Sequence, residues 1–99
     1  MNGSQFSVAD GDGSGALVTA AGELDLAVKD DLRDVLTPLR GRVTIDLAAV
    51  TFIDSSAIGV LVGAHKRLST DGGTLLLRNP QDMPRRALEI VGLGEWIED

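Results

Sequence analysis

The sequence contains no cysteine and no tyrosine, and among its 99 residues are one histidine, one tryptophan and two phenylalanines. Without cysteine, the chain cannot form a disulfide, a thiolate zinc site or an iron–sulfur cluster, and it has no thiol nucleophile. A single histidine also leaves little material for general-base chemistry. These absences exclude many enzyme classes and predict one small domain, residues 1–99, that is stabilised by packing.

Basic residues are few as well: nine Lys and Arg stand against fifteen Asp and Glu, a net charge of −6. Nucleic acids and anionic membranes are bound by clustered basic residues, so we expect neither as a partner. No apolar run reaches the ~20 residues of a membrane-spanning helix, and the first residues lack a signal-peptide pattern. We therefore expect a cytoplasmic domain with a protein partner, monomeric when free.

The acidic residues are unevenly distributed. Residues 10–34 hold seven of them against Lys29 and Arg33, a balance of −5. Such a region can steer a basic partner, but a charge count alone favours a solvated face.

The N-terminal third predicts a hairpin followed by a helix. Apolar patterns at 6–8 and 17–21 flank a Gly- and Asp-rich stretch at 10–15, and Gly22 is predicted to end the second strand. From Asp25, a predicted helix cap, apolar residues recur at helical spacing. These are Val28, Leu32, Val35, Leu36 and Leu39.

The rest of the chain alternates strands and helices. Residues 42–47 and 74–78 predict strands, the second buried on both faces, and residues 57–68 predict a long apolar helix. Residues 83–91 predict a last helix closed by Gly92, before a final short strand. The order ββαβαβα predicts an α/β fold with a mixed, mostly parallel sheet. It has an N-terminal antiparallel hairpin, and helices follow the second, third and fourth strands.

One segment resembles half of a calcium site. Residues 10–15, Asp-Gly-Asp-Gly-Ser-Gly, match the opening of an EF-hand loop. Ala21 stands where a bidentate glutamate must complete the shell, so we interpret the segment as a hairpin turn and expect no metal.

The histidine does not complete a catalytic site. His65 lies ten residues after Ser55 on the same predicted helix, about 15 Å along its axis. A serine hydrolase needs hydrogen-bond contact between base and nucleophile, so we expect a partly exposed helix residue instead. The sequence predicts no catalytic residue and no cofactor.

Asp54-Ser55-Ser56 lies between a predicted strand and the apolar helix. These residue types favour an N-cap, which satisfies free amides of the first turn. A serine at a helix N-terminus is also a position where the fold tolerates a phosphate, because the amides and the helix dipole favour an anion. The two interpretations are compatible.

The helix that follows has one clear apolar stripe, formed by Ala57, Leu61, Ala64 and Leu68. Ile58 and Val62 fall about 100° off this stripe, where they are either exposed or covered by a neighbouring helix. Gly59 and Gly63 leave a shallow strip that another surface could approach. Exposed apolar residues beside Ser55 would form an interaction patch.

Three segments together resemble the STAS-domain family, specifically bacterial anti-sigma factor antagonists. They are Gly22-Glu23-Leu24-Asp25, Ile45-Asp46-Leu47 and the run from Phe52 to Leu61. The resemblance implies a small α/β domain with a mixed sheet. It also implies a serine that is phosphorylated by an anti-sigma factor of the ATP-dependent protein kinase type and dephosphorylated by a serine phosphatase.

In that family the phosphate acceptor is the first hydroxyl residue after the aspartate, which here is Ser55, with Ser56 the second choice. The leading hypothesis is a binding protein that releases its anti-sigma factor when phosphorylated, and so controls a sigma factor. Its expected contact residues are Asp25, Asp54, Ser55, Ser56, Ile58, Gly59 and Val62. The alternative is an unphosphorylated scaffold or regulatory subunit of a transport or signalling complex, in which Asp54-Ser55-Ser56 is only a cap.

Overall fold

The computed structural model describes residues 5–10 and 15–98. Its strands are β1 (Phe6–Asp10), β2 (Gly15–Leu24), β3 (Arg42–Ile53), β4 (Thr74–Arg78) and β5 (Ile97–Glu98). Its α-helices are α1 (Lys29–Leu36), α2 (Ser55–Thr70) and α3 (Asp82–Ile90), and a 3₁₀ turn (Gly94–Trp96) precedes β5. This order confirms the prediction from periodicity. The EF-hand-like stretch falls largely on residues 11–14, outside the described residues.

The five strands form one sheet in the order β1-β2-β3-β4-β5. β1 pairs antiparallel with β2, and the other pairs are parallel. Since a parallel connection must cross back over the sheet, each one carries a helix. The predicted α/β class and mixed sheet are confirmed.

This topology brings the starts of two helices together. β2 and β3 are parallel neighbours, so the helices that follow them, α1 and α2, begin at the same edge of the sheet. The backbone N–H of Asp54 donates to the carbonyl oxygen of Leu24 at 3.1 Å and joins the two strand ends. α1 and α2 then pack side by side.

The core lies between the sheet and the apolar stripes of the helices. The α2 stripe is buried as predicted: Ala57, Leu61, Ala64 and Leu68. α1 contributes Leu32 and Leu36, and the sheet contributes residues such as Val43, Ile45 and Leu77. The burial of one face of each helix stabilises the fold at roughly 25 cal/mol per Å² of apolar surface.

Gly22 does not end β2, contrary to the prediction. The strand continues to Leu24, and its register with β3 shifts on both sides of Gly22. Gly22 has a φ of +80°, and a Cβ added there would lie 3.1 Å from Nε2 of Gln5, which donates to the carbonyl oxygen of Ala21. The glycine forms an irregularity within the strand, because only glycine adopts this backbone freely.

The prediction that Asp25 caps α1 is also wrong. Its Oδ1 accepts a hydrogen bond from the N–H of Ala27 at 3.0 Å, within a turn that precedes the helix. The helix begins at Lys29, and its N-cap residue, Val28, makes no side-chain capping bond. A short Asp side chain bonds readily to nearby backbone, and here that local bond forms a turn.

Two other strands differ from the prediction, one in length and one in burial. β3 runs six residues beyond the predicted end, to Ile53. In β4, Leu75 and Leu77 are buried but Leu76 is half-exposed, so the strand is not buried on both faces. A run of leucines does not reveal which face is covered, since burial depends on what packs there. α3 agrees within one residue at each end, and Gly92 has the left-handed φ of +88° expected after a helix.

Candidate functional site

The start of α2 is capped by Asp54, as predicted. Its backbone is extended, with φ −119° and ψ −179°, and its Oδ1 accepts hydrogen bonds from the N–H groups of Ser56 at 2.9 Å and Ala57 at 3.2 Å. These are two of the amides that lack a partner within the helix. The carboxylate therefore holds the first turn in place and is engaged by backbone.

Ser55, the first residue of α2, is exposed, whereas Ser56 is half-buried. Neither hydroxyl forms a hydrogen bond with any residue that the structure describes. The Ser55 hydroxyl is thus presented to solvent on a rigid, capped helix end. An external enzyme could reach it without unfolding the domain.

A groove of about 540 Å³ lies between α1 and α2. Its walls include Lys29 and Arg33 of α1 and Ser55, Gly59, Gly63 and Arg67 of α2. Residues three or four apart share a face of a helix, so each wall is one face of its helix. Ser55 lies at the end of the groove where both helices begin.

Two glycines of α2, Gly59 and Gly63, line this groove and face open space. A Cβ added at Gly59 or Gly63 would meet no atom within 4 Å. Alanine would favour the helix by about 1 kcal/mol at each position, so local stability does not account for the glycines. The shallow strip predicted from their spacing is one wall of the groove.

The groove is basic in an acidic chain: Lys29, Arg33 and Arg67 line it, and no carboxylate among the described residues does. Nη1 of Arg33 pairs with Oδ1 of Asp30 at 2.8 Å. Nη2 of Arg67 donates to the carbonyl oxygen of Leu36 at 2.8 Å. Lys29 is half-buried and has no hydrogen bond or ion pair with any described residue. The acid-rich segment therefore turns its two basic residues, not its carboxylates, toward the groove that ends at Ser55.

Ile58 and Val62 do not line the groove. Both are half-buried and pack against the core. At 100° per residue they lie about 100° around the helix axis from Gly59 and Gly63, on a neighbouring face of α2. They are neither fully exposed nor fully covered, and their contact with a partner stays a prediction.

Two exposed apolar residues near the ends of β2 and β3 were not predicted from the sequence. Leu26 is 64% exposed in the turn after β2, and Phe52 is 38% exposed near the end of β3. The hydrogen bond between Leu24 and Asp54 brings these segments together. The sequence contains only a weak indication of these two residues. Leu26 lies off the apolar stripe of α1, and Phe52 lies in an apolar run for which no helix or strand was predicted.

His65 is not part of this site. Its ring stacks on Trp96, with centroids 4.1 Å apart and planes at 24°, and its buried Nδ1 has no hydrogen-bond partner in the described part of the chain. The prediction of a partly exposed helix residue is confirmed.

Among residues 5–10 and 15–98, no group of three or more His, Asp or Glu could hold a metal ion. No helix in this part of the chain is long and apolar enough to cross a membrane.

Comparison with known proteins supports this assignment of the fold. The STAS domain family model matches residues 7–98. The chain is 36% identical to the anti-sigma-B factor antagonist of Bacillus subtilis over 84 residues, which cover 82% of this chain and 77% of the relative.

Solved structures share the same architecture. The structure of the anti-sigma factor antagonist SpoIIAA in its unphosphorylated form matches with a TM-score of 0.84 at 23% identity. The aligned region covers 95% of this chain and 86% of the SpoIIAA chain. The Bacillus cell fate determinant SpoIIAA in the phosphorylated form has a TM-score of 0.77, also at 23% identity, over 95% of this chain and 89% of its own. At this identity the likeness shows the fold. Together with the family match, it shows that the chain belongs to the STAS-domain family.

Proposed function

We propose that this chain is an anti-sigma factor antagonist that binds its anti-sigma factor when Ser55 is free and releases it when Ser55 is phosphorylated. The observation that carries the proposal is the exposed hydroxyl of Ser55 at the capped start of α2, beside an open groove. The 36% identity to an anti-sigma-B factor antagonist supports the partner class.

The partner is an anti-sigma factor of the ATP-dependent serine kinase type. In the transfer, a bond forms between Oγ of Ser55 and the γ-phosphorus of ATP. The bond from that phosphorus to the β–γ bridging oxygen breaks, ADP leaves, and the hydroxyl proton passes to a base on the kinase. A serine phosphatase reverses the step by hydrolysis, which returns the hydroxyl and releases inorganic phosphate.

The modified domain stays folded in this proposal. A phosphoryl group adds about −1.5 to −2 charges, and a helix N-terminus tolerates an anion. The interface changes instead: a penalty of about 3–4 kcal/mol in the complex weakens binding several-hundredfold. The released anti-sigma factor is then free to hold its sigma factor.

We place the protein in the cytoplasm, where sigma factors act, and we expect it to be a monomer when free. Neither nucleic acid nor membrane is part of this mechanism, since the chain carries a net charge of −6.

The direct test incubates the chain with kinase-type anti-sigma factors encoded near its gene and Mg-ATP, followed by peptide mass spectrometry. We expect phosphate on Ser55. The Ser55→Ala variant should lose the modification, and the matched Ser56→Ala variant should keep it. Stable binding without modification of either serine would support the alternative, a scaffold in which Asp54-Ser55-Ser56 serves only as a cap.

A further inference from the structure

Lys29 and Ser55 occupy equivalent positions on two neighbouring helices. Each is the first residue of its helix, α1 or α2, and the two helices begin at the same edge of the sheet. Both residues line the groove between these helices. A cation and a modifiable hydroxyl therefore face one cavity at the same end.

Of the three cations that line the groove, Lys29 is the one without a partner among the described residues. Arg33 is paired with Asp30, and Arg67 is held by carbonyl oxygens of Leu36 and Leu39. Arg67 also lies twelve residues after Ser55, about 18 Å along α2. Lys29 has no partner among the described residues and carries its ammonium on a flexible stem.

We propose that Lys29 is the intramolecular receptor for the phosphoryl group of Ser55: the modified serine and the Lys29 ammonium pair across the mouth of the groove and close it. The inference rests on the proposed function, because it assumes that Ser55 is the modified residue. The carboxylate of Asp54 forms no ion pair with Lys29 in the described part of the chain, and its Oδ1 accepts hydrogen bonds from the amides of Ser56 and Ala57.

This pairing gives phosphorylation a second effect besides added charge. In the unmodified chain the groove is open along Gly59 and Gly63, and it is lined by cations that suit acidic side chains of a partner. Once the phosphoryl group pairs with Lys29, the groove loses both its entrance and its free cation. A partner residue that uses the groove is then excluded.

The test uses the full chain with phosphoserine incorporated at position 55 during translation, so that no kinase is needed. The second ionisation of the phosphoryl group is followed by ³¹P NMR against pH. Lys29→Gln should raise this pKa by about 0.5–1 unit, because a nearby cation favours the dianion. Lys29→Arg should retain the phosphoryl pKa of the phosphorylated chain that carries Lys29, and Lys29→Met, which keeps the apolar stem, should raise the pKa as Lys29→Gln does.

Lys66→Gln is the matched control. Lys66 is exposed on α2, does not line the groove, and lies about 16 Å from Ser55 along the helix, beyond the ~8 Å screening length at physiological salt. It should leave the phosphoryl pKa nearly unchanged. Equal shifts in Lys29→Gln and Lys66→Gln, or no shift in either, would overturn the pairing. Failure of a kinase to modify Ser55 would overturn the proposed function without changing this titration.

Discussion

The backbone N–H of Asp54 donates to the carbonyl oxygen of Leu24 at 3.1 Å, while the side chain of the same residue caps α2. One residue thus connects the ends of two strands to the start of a helix. This double attachment holds Ser55 at the sheet edge where α1 also begins. The exposed hydroxyl is consequently presented on a well-anchored helix end, which is what the proposed switch requires.

Removal of the cap should weaken the fold. We expect Asp54→Ala to lower the free energy of unfolding by about 1 kcal/mol, because two amides of the first turn lose their acceptor. For a domain of this size the loss corresponds to about 4–8 °C in Tm. Urea denaturation measures it. Asp54→Asn keeps an acceptor oxygen, so its free energy of unfolding should be closer to that of the unsubstituted chain. Equal losses of stability in both variants would contradict the capping role.

A fixed negative charge at the acceptor should mimic the modified state. Ser55→Asp should fold normally but bind the anti-sigma factor at least roughly tenfold more weakly, a difference of 1.4 kcal/mol. Ser55→Ala should retain binding and refuse phosphate. Isothermal titration calorimetry compares them. Ser69→Asp, at the exposed far end of α2, is the control for charge alone, and undiminished binding by Ser55→Asp would refute the charge mechanism.

Two glycines should respond in opposite directions to alanine. Gly63 lies in a helix with open space around it, so Gly63→Ala should raise the free energy of unfolding by about 0.5–1 kcal/mol. Gly22 has a left-handed φ of +80°, so Gly22→Ala should lower it by about 1–2 kcal/mol. Thermal denaturation measures whether each variant has a higher or lower free energy of unfolding. A destabilised Gly63→Ala would mean that the groove wall is more crowded than its geometry indicates.

The exposed apolar residues near the ends of β2 and β3, Leu26 and Phe52, should contribute to partner binding. Leu26→Ala and Phe52→Ala should each weaken the complex by about 1–2 kcal/mol, since exposed apolar side chains at an interface are natural anchors. Stability should change little for Leu26, which is mostly exposed. Ile90→Ala provides the control, because Ile90 is 76% exposed at the end of α3. Equal affinity in all three variants would remove this patch from the interface.

Where periodicity and capping chemistry act locally, the sequence was informative. The buried stripe of α2 and the Asp54 cap both follow from residue type and spacing within a few positions. The start of α1 did not, because Asp25 can bond to a turn as readily as to a helix. The length of β2 did not either, because Gly22 allows a strand to continue through an irregularity as well as to stop.

The order of the elements, the α/β class and the position of Ser55 at a helix start could be predicted from the sequence, because they depend on local pattern and short-range bonds. That α1 and α2 begin side by side and enclose a groove became apparent only in the folded domain. That pairing depends on which strands are neighbours. For the same reason, only the fold could show that a chain with a net charge of −6 directs Lys29 toward the groove beside its exposed serine.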